Sequence, residues 1–273
     1  MAGCLRLSPP HLIWEDIQRI RAEAPLVHNI TNYVVMNSTA NALLALGASP
    51  VMAHANEEVE EMVGLARALV LNTGTLSPAW IEAMIKAGRE AKRRGLPVVF
   101  DPVGCGATRF RTATSHRLVK EVQPTIIRGN ASEIRALVHS GPGPKGVDSI
   151  HSPDEIIEEA RTLALANHCV VAVSGVVDLI VDGASVIRIA NGHPLMARVT
   201  GMGCTVTALT GAFSAVNPSP FRAAAHALAV VGIAGEMAVE HSTGPGSFPP
   251  SFLDALYLLK EDDIARYLKM QGP

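Results

Sequence analysis

Residues 68–104, ALVLNTGTLSPAWIEAMIKAGREAKRRGLPVVFDPVG, decide the fold. Ala68–Leu71 and Pro97–Phe100 are bare apolar runs of the kind found in strands covered on both faces. Between them, Ser77 supplies a helix N-cap with Pro78 at the first helical position, and Gly95 stands where a left-handed C-terminal cap goes. Strand, helix and strand in that order form the crossover unit that joins parallel strands.

Working outward, the same alternation continues. Leu26–Ile30, Ser49–Met52, Thr125–Ile127 and Cys169–Val173 read as further strands, and Tyr33–Leu46 reads as a helix. Ser152, Pro153 and Glu155 form a capping box opening a helix toward Asn167. The turn Asp182-Gly183 divides two apolar runs between Val177 and Ile189, predicting a β-hairpin at the edge of the parallel sheet. The fold class is α/β, a three-layer sandwich with a mostly parallel central sheet. The Gly- and Pro-rich loop Ser140–Asp148 is the best internal boundary, but strands and helices resume after it. A single domain over residues 1–273 is therefore expected.

Composition narrows the function. Hydrophobic residues make up 48% and charged residues 18%, which excludes a disordered chain. Lys plus Arg (23) against Asp plus Glu (25) gives 23 − 25 = −2, with aromatics at 4%. That balance lacks the basic footprint and stacking rings of a nucleic-acid binder. Cys4, Cys105, Cys169 and Cys204 form no C-x-x-C pair, so neither a disulfide framework nor a zinc site is indicated. Pro9-Pro10 and Glu15-Asp16 interrupt any secretory leader, so a cytoplasmic location is expected. Ala223–Val239 is apolar but short of the roughly 20 residues of a membrane span, and reads as a core helix.

The chemistry gathers in three stretches. In Thr200-Gly201-Met202-Gly203-Cys204-Thr205, a glycine turn leads from the apolar or extended Leu195–Val199 into a helical run. Both glycines are free to take positive φ, and a helix start with open amides suits phosphate. A plain turn into a helix accounts for the glycines equally well. Cys204, at that helix start, is placed to have its thiol pKa lowered; the alternative is a small buried hydrophobe. In Arg128-Gly129-Asn130-Ala131-Ser132-Glu133, a strand ends in a planar guanidinium that suits phosphate oxygens. Asn130 and Glu133 offer oxygen ligands for magnesium, or else an N-cap with its capping-box glutamate. Asp101, ending the strand of residues 97–100, adds a carboxylate at the same sheet edge, where open α/β sheets bind ligands. Ser174, Asn32 and Met52 also end strands. Each has an ordinary alternative, respectively a turn, a helix cap and a core methionine.

Taken together, His28-Asn29-Ile30-Thr31-Asn32, Gly47–Met52, Asp101-Pro102-Val103-Gly104, Arg128-Gly129-Asn130 and Gly201-x-Gly203-Cys204 resemble the hydroxyethylthiazole kinase family of the ribokinase-like superfamily. The resemblance runs from about Pro25 to Gly246. It implies ATP-dependent phosphorylation of the hydroxyl of a methylthiazole alcohol in thiamine salvage, with Mg2+. It also implies a homotrimer with sites between subunits. By position, Met52, Gly201 and Asn32 match thiazole-side residues. Arg128 and Ser174 match the ATP side, and Asp101 and Glu133 the magnesium and phosphate side; by their own chemistry, Gly203 joins the ATP phosphates and Asn130 the magnesium. Cys204 stands where related sugar kinases carry an aspartate base. Met202 and Ser174 depart from the family pattern: Met202 must point away from the anion for the loop to work, and Ser174 keeps the hydroxyl of the commoner threonine.

The rival readings are another ribokinase-like kinase or dehydratase, and an ATP-binding sensor without turnover. A Rossmann dehydrogenase fits less well, because no G-x-G-x-x-G follows an early strand.

Overall fold

The computed structural model describes residues 9–139 and 153–272. The loop Ser140–Asp148 and the Ser152 cap lie outside the described residues. A single nine-stranded sheet runs through the protein in the order β2-β1-β3-β4-β5-β6-β7-β8-β9. The strands are β1 (Leu26–Ile30), β2 (Ser49–Val51), β3 (Ala68–Asn72), β4 (Val98–Asp101), β5 (Ile126–Asn130), β6 (Val170–Ser174), β7 (Asp178–Val181), β8 (Val186–Ile189) and β9 (Met270–Gln271). Strands β1 to β6 pair in parallel. The expected hairpin, β7 with β8, adds antiparallel strands beside β6, and the short β9 covers its edge.

Helices cover both faces, giving three layers. One face carries α3 (Val59–Leu65), α4 (Pro78–Arg94), α5 (Arg109–Val122), α6 (Ala131–Val138) and α7 (Pro153–Asn167), around a core that includes Leu69, Phe100, Ile127 and Val171. The other carries α1 (Pro10–Glu23), α2 (Met36–Leu46), α8 (Met202–Val216), α9 (Pro220–Glu240), α10 (Phe248–Leu258) and α11 (Glu261–Tyr267), around Val27, Val70, Val99 and Ile126. Alternate residues of each strand feed the two cores, as a period of two requires.

Local signals place the elements. Ser77 accepts a hydrogen bond from the Trp80 amide at the start of α4, Pro78 follows it, and Gly95 closes the helix in the left-handed region. Helix α2 starts at Met36 rather than Tyr33. Asn32 holds the preceding residues in a turn instead, its Oδ1 accepting from the Val34 amide and its carbonyl from the Val35 amide. Helix α9 has 21 residues, longer than expected and long enough to cross a membrane, but 78% of its most apolar window is buried inside the protein. It is a core helix packed between α8 and α10.

Four strands reach further toward their carboxyl ends than their apolar runs suggest: β3 takes in Asn72, β4 Asp101, β5 Arg128 to Asn130, and β6 Ser174. The ladder continues there because the neighbouring strand supplies backbone partners, whatever the side chain's polarity.

Candidate active site

Each of these extended ends turns a polar side chain toward the face of the sheet that carries α8 and α9. On that face the strands read Val27 then Asn29, Val70 then Asn72, Val99 then Asp101, Ile126 then Arg128, and Ala172 then Ser174. In antiparallel β7 the order reverses, with Asp178 before Ile180. A polar row thus crosses six adjacent strands at the carboxyl end of the sheet, the usual ligand edge of an open α/β sheet. Asn29, Asn72, Asp101 and Arg128 are all buried.

The amino end of α8 meets this row. Gly201 is its N-cap with φ +84°, and a Cβ there would lie 2.5 Å from Val35 Cγ1. Gly203 is helical rather than at positive φ; a Cβ there would lie 2.8 Å from Arg128 Nη1, so any larger residue would displace the guanidinium. The guanidinium therefore sits directly beneath the first turn. The turn is not entered from an extended segment: residues Pro194–Arg198 form a 3-10 helix. Pro194 opens it and the Leu195 amide donates to His193 Nδ1, which favours a tight turn over a strand. Met202 is partly buried and packs against the core on the α8 face of the sheet.

Asp101 is the electrostatic centre. Its Oδ2 accepts from Thr207 Oγ1 at 2.7 Å and from Asn72 Nδ2 at 2.9 Å, and lies 3.9 Å from Arg128 Nη1. Burial pushes its carboxyl up to about 6, against the pull of Arg128, Thr207 and Asn72, with Glu133 adding to the rise. Arg128 is only 8% exposed, yet among the described residues its Nε has no hydrogen-bond partner. A buried guanidinium held off its nearest carboxylate, with a donor to spare, is poised for an added anion.

Cys204, in the first turn of α8, receives a hydrogen bond from Asn32 Nδ2 at 3.4 Å. Its thiol pKa is raised, not lowered as its helix position suggested: burial dominates and the Asp101 charge adds to it, against the weaker pull of Asn72, Asn32 and Arg128. The helix start cannot offset that loss of hydration.

Asn130 and Glu133 form the capping box. Asn130 Oδ1 accepts from the Glu133 amide at 3.0 Å, and Glu133 Oε2 accepts from the Asn130 amide at 2.8 Å. Glu133 Oε1 also accepts from the Gly104 amide at 2.9 Å, tying β4's loop to α6. Among the described residues no group of three or more His, Cys, Asp or Glu gathers as a metal cage. A magnesium ion fits this donor set only as one carried by phosphates and water, balanced by Asp101 and Glu133, because magnesium keeps most of its water and Asn130 Oδ1 is already engaged.

Ser174 lies opposite Asn130 in the β5–β6 register, with its hydroxyl 3.4 Å from the Gly129 carbonyl. Met52 is half-buried just past β2, beyond the His28–Val51 pair, at the β1 end of the row. The fold therefore brings Asn32, Asp101, Arg128, Gly203 and Cys204 into one cluster, with Ser174 and Asn130 on its β6 side.

Three residues escaped the sequence reading. Asn72 one step past the β3 apolar run and Asp178 one step before the β7 apolar run continue the period-two pattern, a legible signal. Thr207 lies one turn after Gly203, where only the fold shows that it meets Asp101. Asp178 accepts from the Gly175 amide at 2.9 Å, and its carboxyl is pushed up to about 6 by burial, opposed by that amide and by Arg128.

A glycine-capped helix start beside a buried guanidinium, over the carboxyl ends of a mostly parallel three-layer sheet, fits the ribokinase-like class of small-molecule kinases. A pyridoxal kinase from Staphylococcus aureus in complex with AMP-PCP shares this fold, with a TM-score of 0.65 at 16% identity, covering 91% of this chain and 98% of that one. Residues 17–262 match the model of the Hydroxyethylthiazole kinase family, and the chain belongs to that family. It is 57% identical over 262 residues to hydroxyethylthiazole kinase of Syntrophus aciditrophicus, covering 96% of this chain and 97% of the relative. The structure of a hydroxyethylthiazole kinase protein from Pyrococcus horikoshii matches with a TM-score of 0.89 at 46% identity, covering 96% of this chain and 99% of that one.

Proposed function

We propose that this chain phosphorylates the hydroxyl group of hydroxyethylthiazole with ATP, a salvage step toward thiamine. The observation that carries the reading is the buried Arg128 guanidinium, pressed against Gly203 with its Nε free. Phosphoryl transfer depends chiefly on positioning and on neutralising charge. In this reading the amides at the start of α8 and Arg128 hold the migrating phosphoryl group, while Ser174 borders the nucleotide. Asn32, Gly201 and Met52 line the thiazole side. Cys204 Sγ sits beside the alcohol oxygen, and its raised pKa keeps it a thiol at neutral pH. It orients the alcohol, whose proton leaves late in a loose transition state. Asp101, Glu133 and Asn130 would hold a magnesium ion through water; bound on the triphosphate, it would supply further charge neutralisation.

The decisive assay offers the protein hydroxyethylthiazole and ATP with magnesium and follows thiazole phosphate and ADP in parallel. Equal formation of both is expected. ADP release with no phosphorylated thiazole, or no turnover with any small alcohol, would refute the reading. A homotrimer with shared sites and a cytoplasmic location belong to the same proposal. Exposed Tyr33, Val34, Leu44, Tyr257 and Leu258, on and just before α2 and on α10, support an oligomer. A monomeric mass in solution would remove that part.

A further inference from the structure

We propose that Asn72 is a positioning residue for phosphoryl transfer, whose side-chain amide fixes the alcohol-side residues Asn32 and Cys204 relative to Asp101. The inference rests on the kinase reading of the site. Asn72 ends β3 and is 1% exposed. Its Oδ1 accepts from Asn32 Nδ2 at 2.8 Å and from the Gly74 amide at 2.9 Å. Its Nδ2 donates to Asp101 Oδ2 at 2.9 Å.

The two ends of the amide are not interchangeable. Turning it over would face Nδ2 with two donors and Oδ1 with a carboxylate, so the orientation is fixed by its neighbours. Asn32 Nδ2 has two described acceptors, Asn72 Oδ1 and Cys204 Sγ, and so links Asn72 to the thiol. Without Asn72, Asn32 Nδ2 keeps only the weak sulfur acceptor and is free to rotate, and Asp101 Oδ2 keeps only Thr207 as a direct hydrogen-bond donor. The geometry predicts a loss of alignment on the alcohol side with the Arg128 and Gly203 cradle intact. Water then competes with the alcohol for the phosphoryl group.

The test measures ADP formed per thiazole phosphate, kcat and both KM values for the parent, Asn72→Ala and Asn72→Asp, with melting curves for each. The parent ratio is expected near one. Asn72→Ala is expected to lower kcat at least tenfold and to raise the ratio at least threefold, with the KM for ATP within threefold. Asn72→Asp keeps the acceptor oxygen for Asn32 and Gly74 but places a second carboxylate beside Asp101. It is expected to lose kcat while its ratio stays near the parent's. A double substitution with Asn32→Ala should cost no more in the ratio than Asn72→Ala alone.

A lowered melting temperature with parental kcat and ratio assigns Asn72 to the scaffold and overturns the inference; so does a lowered kcat with an unchanged ratio in Asn72→Ala. If Asn72→Ala does not fold, a raised ratio in Asn32→Ala combined with a near-parental ratio in Asn72→Asp supports the inference, and any other pairing overturns it. A folded parent that phosphorylates no thiazole alcohol defeats the kinase reading itself, an outcome read from the parent alone.

Discussion

Two buried aspartates at opposite ends of the protein show how a structural charge differs from one kept for chemistry. Asp16 in α1 is surrounded: His226 Nδ1 lies at 2.7 Å, Asn217 Nδ2 donates at 2.5 Å and Arg19 Nη2 stands 3.1 Å away. The cluster ties α1 to α9 and to the turn after α8. Asp101 is as deeply buried, but its direct donors are a hydroxyl and an amide, and its cation waits at 3.9 Å with a nitrogen unused. Asp16 is charge-matched by its own chain: Oδ2 takes both hydrogen bonds, and Oδ1 faces Arg19 as an ion pair without a hydrogen bond. Arg128 is left incompletely matched, and in the proposed reading a phosphate group would complete its balance.

The contrast breaks most readily at Asp16. Asp16→Ala removes the carboxylate that Arg19, Asn217 and His226 share and should cost about 2–6 kcal/mol, because Asn217 and the buried His226 ring each lose an acceptor at about 1–3 kcal/mol. Urea unfolding at neutral pH measures it; a loss below about 1 kcal/mol would dissolve the distinction. Next comes Arg128→Ala, expected to lower kcat/KM about 10²- to 10³-fold, the scale for removing a preorganised donor from developing charge. Arg128→Lys should recover only part of it, since an ammonium lacks the planar fork. Steady-state rates for both variants equal to the parent would empty Arg128 of its role.

Asp101→Asn should move stability the other way. Its folded pKa, about 6, lies above the unfolded value, so the folded state holds the extra proton between about pH 4 and 6. Stability is then lost as pH rises through that window, and the carboxylate lowers stability above it. The width of that window sets an upper bound of about 3 kcal/mol, so Asp101→Asn should be more stable than the parent by about 1–3 kcal/mol at pH 7.5, with a flatter profile from pH 4 to 6. Activity should fall at the same time. Urea midpoints across that range decide it, and a less stable variant would show that Asp101 is a structural charge like Asp16.

Much of this was legible in the sequence, for reasons that differ by residue. Ser77-Pro78 and Gly95 bound α4 because capping is local chemistry, and the Asp182-Gly183 turn placed the β7–β8 hairpin for the same reason. The glycine turn before α8 and Arg128 read as candidate anion-binding residues, with a plain turn accounting for the glycines equally well; the fold adds that Gly203 and Arg128 lie against each other. What stayed hidden depends on contacts far apart in sequence. Thr207 meets Asp101 across 106 positions. The strand character of Asn72 and Ser174 comes from neighbouring strands, and Leu195–Val199 is apolar without being extended because a proline and a histidine set its turn. The Cys204 thiol shows the limit most clearly, since a helix start is visible in sequence and desolvation is not.

That thiol gives the smallest effect and the finest comparison with Asp101. Asp101 is buried, Cys204 is half-buried and both are held toward their protonated forms, but Asp101 at about 6 is ionised at neutral pH, whereas a thiol raised above its usual value is not. A group that is already protonated cannot take the alcohol's proton at the outset, so its loss should remove orientation rather than a base. Cys204→Ala is therefore expected to lower kcat by about tenfold, within the range for a modest positioning contact, with ATP affinity unchanged. Iodoacetamide should modify Cys204 of the parent more slowly at pH 7.5 than it modifies a free thiol, and the rate should still be climbing above pH 9. A Cys204 that alkylates faster than free cysteine would return the proton-accepting role to sulfur, and a Cys204→Ala variant that no longer binds ATP would contradict its place on the alcohol side.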